Sequence, residues 1–387
     1  MIARIIILLI LLIVLPDAWF AWRNRRRRKA WPWWRHALCA LPSAALVAYA
    51  VWLATGRDFA PADTTWLNLF LLLLGAYVLP RVVYVACSAV GLLWCRLRGS
   101  HRNWGNLVGF VLGAAVLYII IYGATLGTRQ VVVRQVDVAS PDAPAAFDGY
   151  RLVHFSDLHV GTLPTGMLDR VVDSILAQKP RAIVFTGDLQ NMRPEEMYPH
   201  LETLRRLHAP DGVYSILGNH DYSYYLTGTP DAIRAANDRE VVACERQCGW
   251  QLLLNERRVL RCGADSIVVA GEENDGKPPF PQHGDLGKTL AGVAQGAFTI
   301  LLQHDPSAWR RTILPHSHAQ LTLSGHTHGG QLSLFGWRPT MLTNTEDRGL
   351  YEEQGRTLYV TSGVGGFLPF RFNMPPEIIV ITLHRTH

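Results

Sequence analysis

The chain has 387 residues, about twice what one ordinary domain needs, and a formal net charge of +6. That basicity is confined: residues 1–127 hold 13 Lys and Arg against 3 Asp and Glu, a net of +10, whereas residues 128–387 hold 24 against 28, a net of −4. Positive charge lying between hydrophobic stretches, ahead of a slightly acidic remainder, argues against a nucleic-acid-binding surface.

Four apolar segments come first, at 5–22, 37–56, 65–94 and 104–127. Each is long enough to cross the roughly 30 Å hydrocarbon core as a helix, and Trp and Tyr near several ends suit the interfaces. The first lacks a charged n-region beyond Arg4 and reads as an uncleaved helix rather than a signal peptide. Asp17 stands late in the first segment and Arg81 follows Pro80 inside the third. A charge within a span is a functional hypothesis by default. Here the length of the third segment favours a structural role for Arg81, in a kinked helix or in two shorter pieces. The loops at 23–35 and 95–102 are rich in Arg, and the loop at 57–64 holds one. That asymmetry predicts cytoplasmic first and third loops, with everything after residue 127 on the outer face.

Residues 128–147 read as a linker with a valine-rich leading strand, and 148–387 as a second, folded domain. In the latter, β-branched runs ending in small polar clusters alternate with helical periodicity, as at Leu168, Val171, Val172, Ile175 and Leu176. This pattern predicts an α/β architecture. Of six cysteines, Cys39, Cys87 and Cys95 fall in the apolar third. In an oxidising compartment Cys244, Cys248 and Cys262 leave room for one disulfide.

Five strand ends carry metal-ligand side chains: Asp157 and His159 in "SDLHVG", Asp188 in "TGD", Asn219 beside His220 in "GNHD", His304 in "QHDP", and His326 with His328 in "SGHTHGG". In extended backbone, residues i and i+2 share a side, so the two spaced pairs are expected to present their ligands together. Imidazole, carboxylate and amide without thiolate favour Mn, Fe or Zn. His316 and His318 repeat the spacing but precede the strand, and read as solvated loop.

In this order the motifs resemble those of the calcineurin-like metallophosphoesterases across 148–383. The similarity is greatest to a membrane-associated bacterial branch that includes UDP-diacylglucosamine pyrophosphatases, whose closing stretch appears here as "PFRFNMPPEI" (369–378). The resemblance implies a four-layer α/β/β/α sandwich, preceded here by an all-α transmembrane region, and a site for two divalent metal ions, Mn favoured. Carried over residue by residue, Asp157, His159 and His328 hold one metal, Asn219, His304 and His326 the other, and Asp188 bridges them. His220 is then the general acid, oriented by Asp221, and Asn191 a turn residue. Arg348 and Arg371 are candidate phosphate contacts, since guanidinium matches phosphate bidentately; a structural ion pair is an equal alternative for both. The expected function is hydrolysis of a phosphodiester or pyrophosphate, lipid-linked, at a membrane. Two alternatives stand beside it: a phosphodiesterase of soluble nucleotides with a membrane tether, and a membrane sensor or transporter with a ligand-binding outer domain.

Overall fold

The computed structural model describes residues 2–26, 31–56, 64–226 and 228–386. The Arg-rich stretch 27–30 and most of the 57–64 loop, on which the orientation reading draws, lie outside the described residues. The chain forms two compact units, Met1–Thr125 and Leu126–His387.

The first unit consists of helices α1 (Ile2–Arg25), α2 (Trp33–Ala54), α3 (Thr65–Leu73), α4 (Leu79–Arg98) and α5 (Gly105–Thr125). It provides four spans long and apolar enough to cross a membrane, because α3 and α4 run on as one rod, Thr65–Arg98. A single π-helical turn, Leu74–Val78, joins them just before Pro80. Proline lacks an N–H and its ring crowds the carbonyl four residues back, and a widened turn relieves both. Gly109 and Gly113 let α5 press against α4: a Cβ on either would sit 3.0 Å from backbone atoms of Tyr84 or Pro80. Small residues at such spacing are how helices pack without a hydrophobic drive. The two charges singled out in the spans meet. Arg81 on α4 pairs with Asp17 on α1, donates to Ser43 Oγ of α2 at 3.1 Å, and lies 4.5 Å over the Tyr77 ring. Arg81 therefore ties three helices together.

The second unit holds two six-stranded sheets. Its strands are β1 (Val132–Ser140), β2 (Arg151–Phe155), β3 (Ala182–Phe185), β4 (Val213–Ser215), β5 (Gln251–Leu252), β6 (Glu256–Cys262), β7 (Asp265–Gly271), β8 (Thr299–Leu302), β9 (Leu321–Ser324), β10 (Gly349–Glu353), β11 (Arg356–Val360) and β12 (Glu377–Arg385). One sheet runs β1-β12-β2-β3-β4-β5, the other β10-β11-β9-β8-β7-β6. Strand alternation builds the layers. Leu152, Val184, Ile300, Leu302, Ile379 and Ile381 fill the space between the sheets. Val153, Phe155 and Phe185 face the other way, onto α6 (Met167–Ala177), α7 (Leu201–Arg205) and α8 (Asp231–Gln247). Leu301 and Leu358 turn outward from the second sheet beneath Trp309 and Ile313. The order is helix, sheet, sheet, helix. Burying each such side chain contributes about 1.5–3 kcal/mol. Residues 132–140, read from sequence as part of a leader to the catalytic domain, form a full edge strand paired in parallel with β12 from Val132–Glu377 to Ser140–Arg385.

The room left for a disulfide is not used. All six cysteines are free. Cys244 and Cys248 are buried in the helix-side core, while Cys262 packs against the core between the sheets.

Candidate metal centre

The ligand candidates gather because their strands run parallel. β2, β3 and β4 are parallel neighbours in one sheet, and β8 and β9 in the other. Chemistry carried just beyond their carboxyl ends collects at one edge, where open α/β sheets bind ligands. The loops are laced together: Asp157 N donates to the Gly187 carbonyl at 2.9 Å, His159 N to that of Asp188 at 3.1 Å, and Gly325 N to that of His304 at 3.1 Å. Gly325 is required by close approach, since a Cβ there would meet Asp157 Oδ2 at 2.2 Å.

The i, i+2 expectation needs correcting. Asp157, His159, Asp188, His326 and His328 have φ of 53°, 46°, 61°, 71° and 51°, so these segments are left-handed turns rather than extended backbone. His326 and His328 consequently diverge, one to each ligand group. Strain of this kind, concentrated on polar residues, is typical of sites where function over-determines the backbone.

Two groups form around one shared carboxylate. Asp157, His159, Asp188 and His328 offer ligand atoms within 4.8 Å of one another, and so do Asp188, His304 and His326. His159 Nε2 and His304 Nε2 lie 3.5 and 3.2 Å from Asp188 Oδ2, and His328 Nε2 lies 3.5 Å from Asp157 Oδ1. Asn219 Oδ1 completes the second group, 2.6 Å from His326 Nδ1 and 3.1 Å from His304 Nε2. Its amide is oriented by Nδ2 donating to Tyr225 Oη at 2.7 Å, a partner the sequence motif does not point to. His304 Nδ1 faces the Thr186 carbonyl at 2.6 Å, which fixes the ring and aims Nε2 at the group. Neither ring nitrogen of buried His159, nor Nδ1 of His328, has a hydrogen-bond partner. Buried polar atoms left orphaned in a nitrogen and oxygen cage are what a divalent cation satisfies. The residues fit two such ions.

The electrostatics agree. Burial lowers His159 to about 3 and also lowers His326 and His328; a neutral imidazole is the ligating form. Burial pushes Asp157 up to about 7, aided by the Asp188 charge and opposed by His304. Asp188 is held low because His304, His220 and His159 outweigh its burial. Against burial, Asp188 and Asp157 raise His304 to about 10. The same field attracts a cation.

Above the groups lies a cleft of about 400 Å³, walled by His220, Lys277, Phe280, Asn344 and Phe367 among others. His220 Nδ1 is 2.6 Å from the Asn191 carbonyl, and the ring stacks on Tyr225 with centroids 4.6 Å apart. Asn191 is thus more than a turn residue. Its backbone is gripped by Glu196, whose carboxylate accepts from the N–H groups of Asn191, Met192 and Arg193 at 2.7–3.1 Å. Asp221 does not orient His220. It accepts four backbone N–H groups, from Gly218, Asp188, Leu189 and Gln190, and so clamps the Asp188 loop to the Asn219 loop.

Both arginine expectations resolve to structure. Arg371 is buried and donates to the carbonyls of Gly365, Met374 and Ser362. Arg348 Nη2 bonds Glu377 Oε2 at 2.6 Å. The cation that lines the cleft is Lys277; with no motif around it, sequence reading passes it over. His316 and His318 are exposed and apart from the site.

Glu377 supports this floor. It also accepts from Arg134 Nε and Ser362 N, each at 2.7 Å. Arg348, hydrogen bonds from Ser362 N and Arg134 outweigh burial and hold it at about 2. A folded value below the ordinary 4.5 means stability that is present above about 4.5 and lost as pH falls through about 2. Glu377→Gln should cost about 1–3 kcal/mol at neutral pH, since Arg348 and Arg134 lose a charged partner but both retain access to water. Its stability should also vary less between pH 4.5 and 2 than that of the parent chain. Urea melts across that interval check both; parallel curves would rule the pair out as a contributor.

Comparisons with known proteins match this architecture. The family described as "Calcineurin-like phosphoesterase" matches residues 150–330, and a family described as the transmembrane domain of calcineurin-like phosphoesterases matches 3–128. An uncharacterized metallophosphoesterase of Bacillus subtilis is 31% identical over 276 residues, 69% of this chain and 90% of its own length. A transmembrane protein with metallophosphoesterase domain of Danio rerio is 28% identical over 341 residues, 82% of this chain and 74% of its own. The UDP-2,3-diacylglucosamine pyrophosphatase LpxG of Chlamydia trachomatis is 30% identical over 299 residues, 62% of this chain and 85% of its own. With paired ligand groups at the strand ends of a double-sheet domain and four membrane-spanning helices ahead of it, the chain belongs to the calcineurin-like metallophosphoesterases.

Proposed function

We propose that the protein hydrolyses a phosphodiester or pyrophosphate carried on a lipid, at a two-metal centre on the outer face of the membrane. The observation that carries the hydrolytic part is the sharing of Asp188 by two ligand groups beneath a cleft that His220 borders. In this reading Asp157, His159 and His328 would hold one cation and Asn219, His304 and His326 the other, with Asp188 common to both. Bound there, two divalent ions, with Mn favoured, lower the pKa of water and offset negative charge on phosphoryl oxygens.

The chain's own residues do the rest. Asn191 holds Nδ1 of His220, leaving Nε2 to deliver a proton to the departing oxygen. Tyr225 fixes both the His220 ring and the Asn219 amide. Lys277 offers a positive contact for a phosphate at the cleft wall. Phe280, set edge-on to His326 at 4.6 Å, and Phe367 restrict water. The lipid assignment is supported by the membrane-spanning helices and by the similarity to a lipid-sugar pyrophosphatase of Chlamydia trachomatis. The outward assignment is supported by Arg in the first and third loops. A proton donor beside a ligand cage is superfluous in a sensor or transporter, which favours the enzyme.

The test uses intact spheroplasts expressing the full chain and two membrane-impermeant substrates sharing one headgroup, with and without acyl chains. Expected are hydrolysis without lysis, abolition by chelator, recovery with Mn, and kcat/KM at least about tenfold higher for the acylated substrate, the equivalent of about 1.4 kcal/mol. Equal values for the two substrates would remove the lipid assignment, and activity appearing only after lysis would reverse the sidedness.

A further inference from the structure

Beside the cleft, the chain spends apolar side chains where its own fold gains nothing from them. After His328 the backbone forms a tight hairpin in which Leu334 N and Trp337 O are 2.9 Å apart and Trp337 N and Leu334 O are 3.0 Å apart. Phe335 and Gly336 form its tip, with φ of 53° and 85°. Two consecutive positive φ values are the pattern of a type I′ turn, whose first central position favours Asn, Asp or Gly. A bulky residue there is a true outlier. Phe335 nonetheless occupies it and is 108% exposed, with no core contact to offset the strain. Leu342 (77%), Met341 (50%) and Trp337 (45%) continue the surface.

This crest is built into the site. Gln331 Nε2 donates to the carbonyls of Leu368 and Phe370 at 2.9 and 2.8 Å. Ser333 N donates to the Phe372 carbonyl at 2.9 Å, which joins the hairpin to the 366–372 loop and its exposed Leu368. From the same two segments Thr340, Thr343, Asn344 and Phe367 face the cleft. Neither 331–344 nor 363–373 contains a single Asp or Glu. The one basic side chain near the tip, Arg338, is held by Asp347 at 2.5 Å.

We infer that the crest Phe335, Trp337, Met341, Leu342 and Leu368 inserts into the interfacial layer of a phospholipid bilayer, bringing the cleft mouth to the headgroups. The inference deepens the proposed function and rests on it only for what enters the cleft. Exposed apolar surface rimmed by polar groups marks an interaction site, and Phe, Trp and Leu on an acid-free loop are what an interfacial layer accepts. The occupant follows from the rest of the chain: with four spans, this protein always has a bilayer for a neighbour. The strain at Phe335 is then offset by burial in lipid rather than in protein. An amphiphile could thus reach the cleft without leaving the membrane.

The test places the photo-crosslinker p-benzoylphenylalanine in the full chain at position 335, separately at 342, and as a control at Val259. Val259 is 52% exposed on β6, the far edge of the second sheet from β10. Each protein is reconstituted in vesicles of phosphatidylethanolamine and phosphatidylglycerol, irradiated, and weighed intact. Phospholipid adducts at 335 and 342 with none at 259 are expected. Absence of adducts at both crest positions, or equal adducts at 259, overturns insertion. Covalent dimers in their place would mean that a second copy covers the crest, and overturn it too. Mn-dependent hydrolysis of bis(p-nitrophenyl) phosphate is read in the same vesicles. Its failure in the unsubstituted chain would sink the phosphoesterase reading, whereas insertion is judged on the adducts alone.

Discussion

Asp188→Ala is expected to empty both cation positions at once and to lower turnover of a generic aryl phosphodiester at least about a thousandfold, the loss expected when charge stabilisation worth several kcal/mol disappears. The reason is geometric. Asp188 is the only member common to the two ligand groups found among the described residues. Two imidazoles, His159 and His304, sit within 3.5 Å of its Oδ2. Its backbone N–H is also one of four that converge on Asp221. Asp188→Asn preserves shape and most hydrogen bonding while removing the charge, so it separates bridging from folding. Metal content by elemental analysis, together with a thermal melt, reads both. If Asp188→Asn retained two metals per chain, the carboxylate would not be a bridge and the two-metal assignment would fall.

His220→Ala should behave differently. Metal content should stay at the parent level while turnover falls by about a hundredfold to ten-thousandfold, the usual contribution of a positioned proton donor. His220 borders the cleft but belongs to neither ligand group, and its Nδ1 is engaged by the Asn191 carbonyl. The loss should shrink for substrates whose leaving group is already acidic, such as p-nitrophenol, and grow for alkyl esters, since only a poor leaving group needs the proton. A loss independent of leaving-group pKa would show that His220 positions rather than protonates. A metal-free His220→Ala protein would move it into the ligand set.

The candidate ligands were legible in the sequence because each sits at the end of a short apolar strand, and parallel strands bring such ends to one edge of a sheet. Period and composition could carry that far. They could not carry the local geometry. The spacing of His326 and His328 suggests extended backbone, but positive φ at both residues sends them to different groups. Nor could they assign partners across long separations. Asp221 looks like a companion of its neighbour His220, and instead serves a loop some thirty positions earlier. Arg371 looks like a phosphate contact because its type suits one, but it is buried and committed to carbonyls. Asp17 and Arg81 were visible as odd charges, 64 positions apart; only the packing of α1 against α4 could make them a pair. Tyr225, Lys277 and Phe335 carry no motif at all.

The position of β12 has a consequence for how the protein is made. The last strand of the chain lies between β1, which opens the catalytic unit, and β2. β1 pairs with β12 along its whole length, so it has no neighbour to join until residues 377–385 have been synthesised. Contacts of such sequence separation form slowly, because loop closure must precede any gain. Until then, a valine-rich edge tethered to the membrane helices waits unpaired. The arrival of residues 377–385 is the event that closes the first sheet, and before it that edge is open to aggregation.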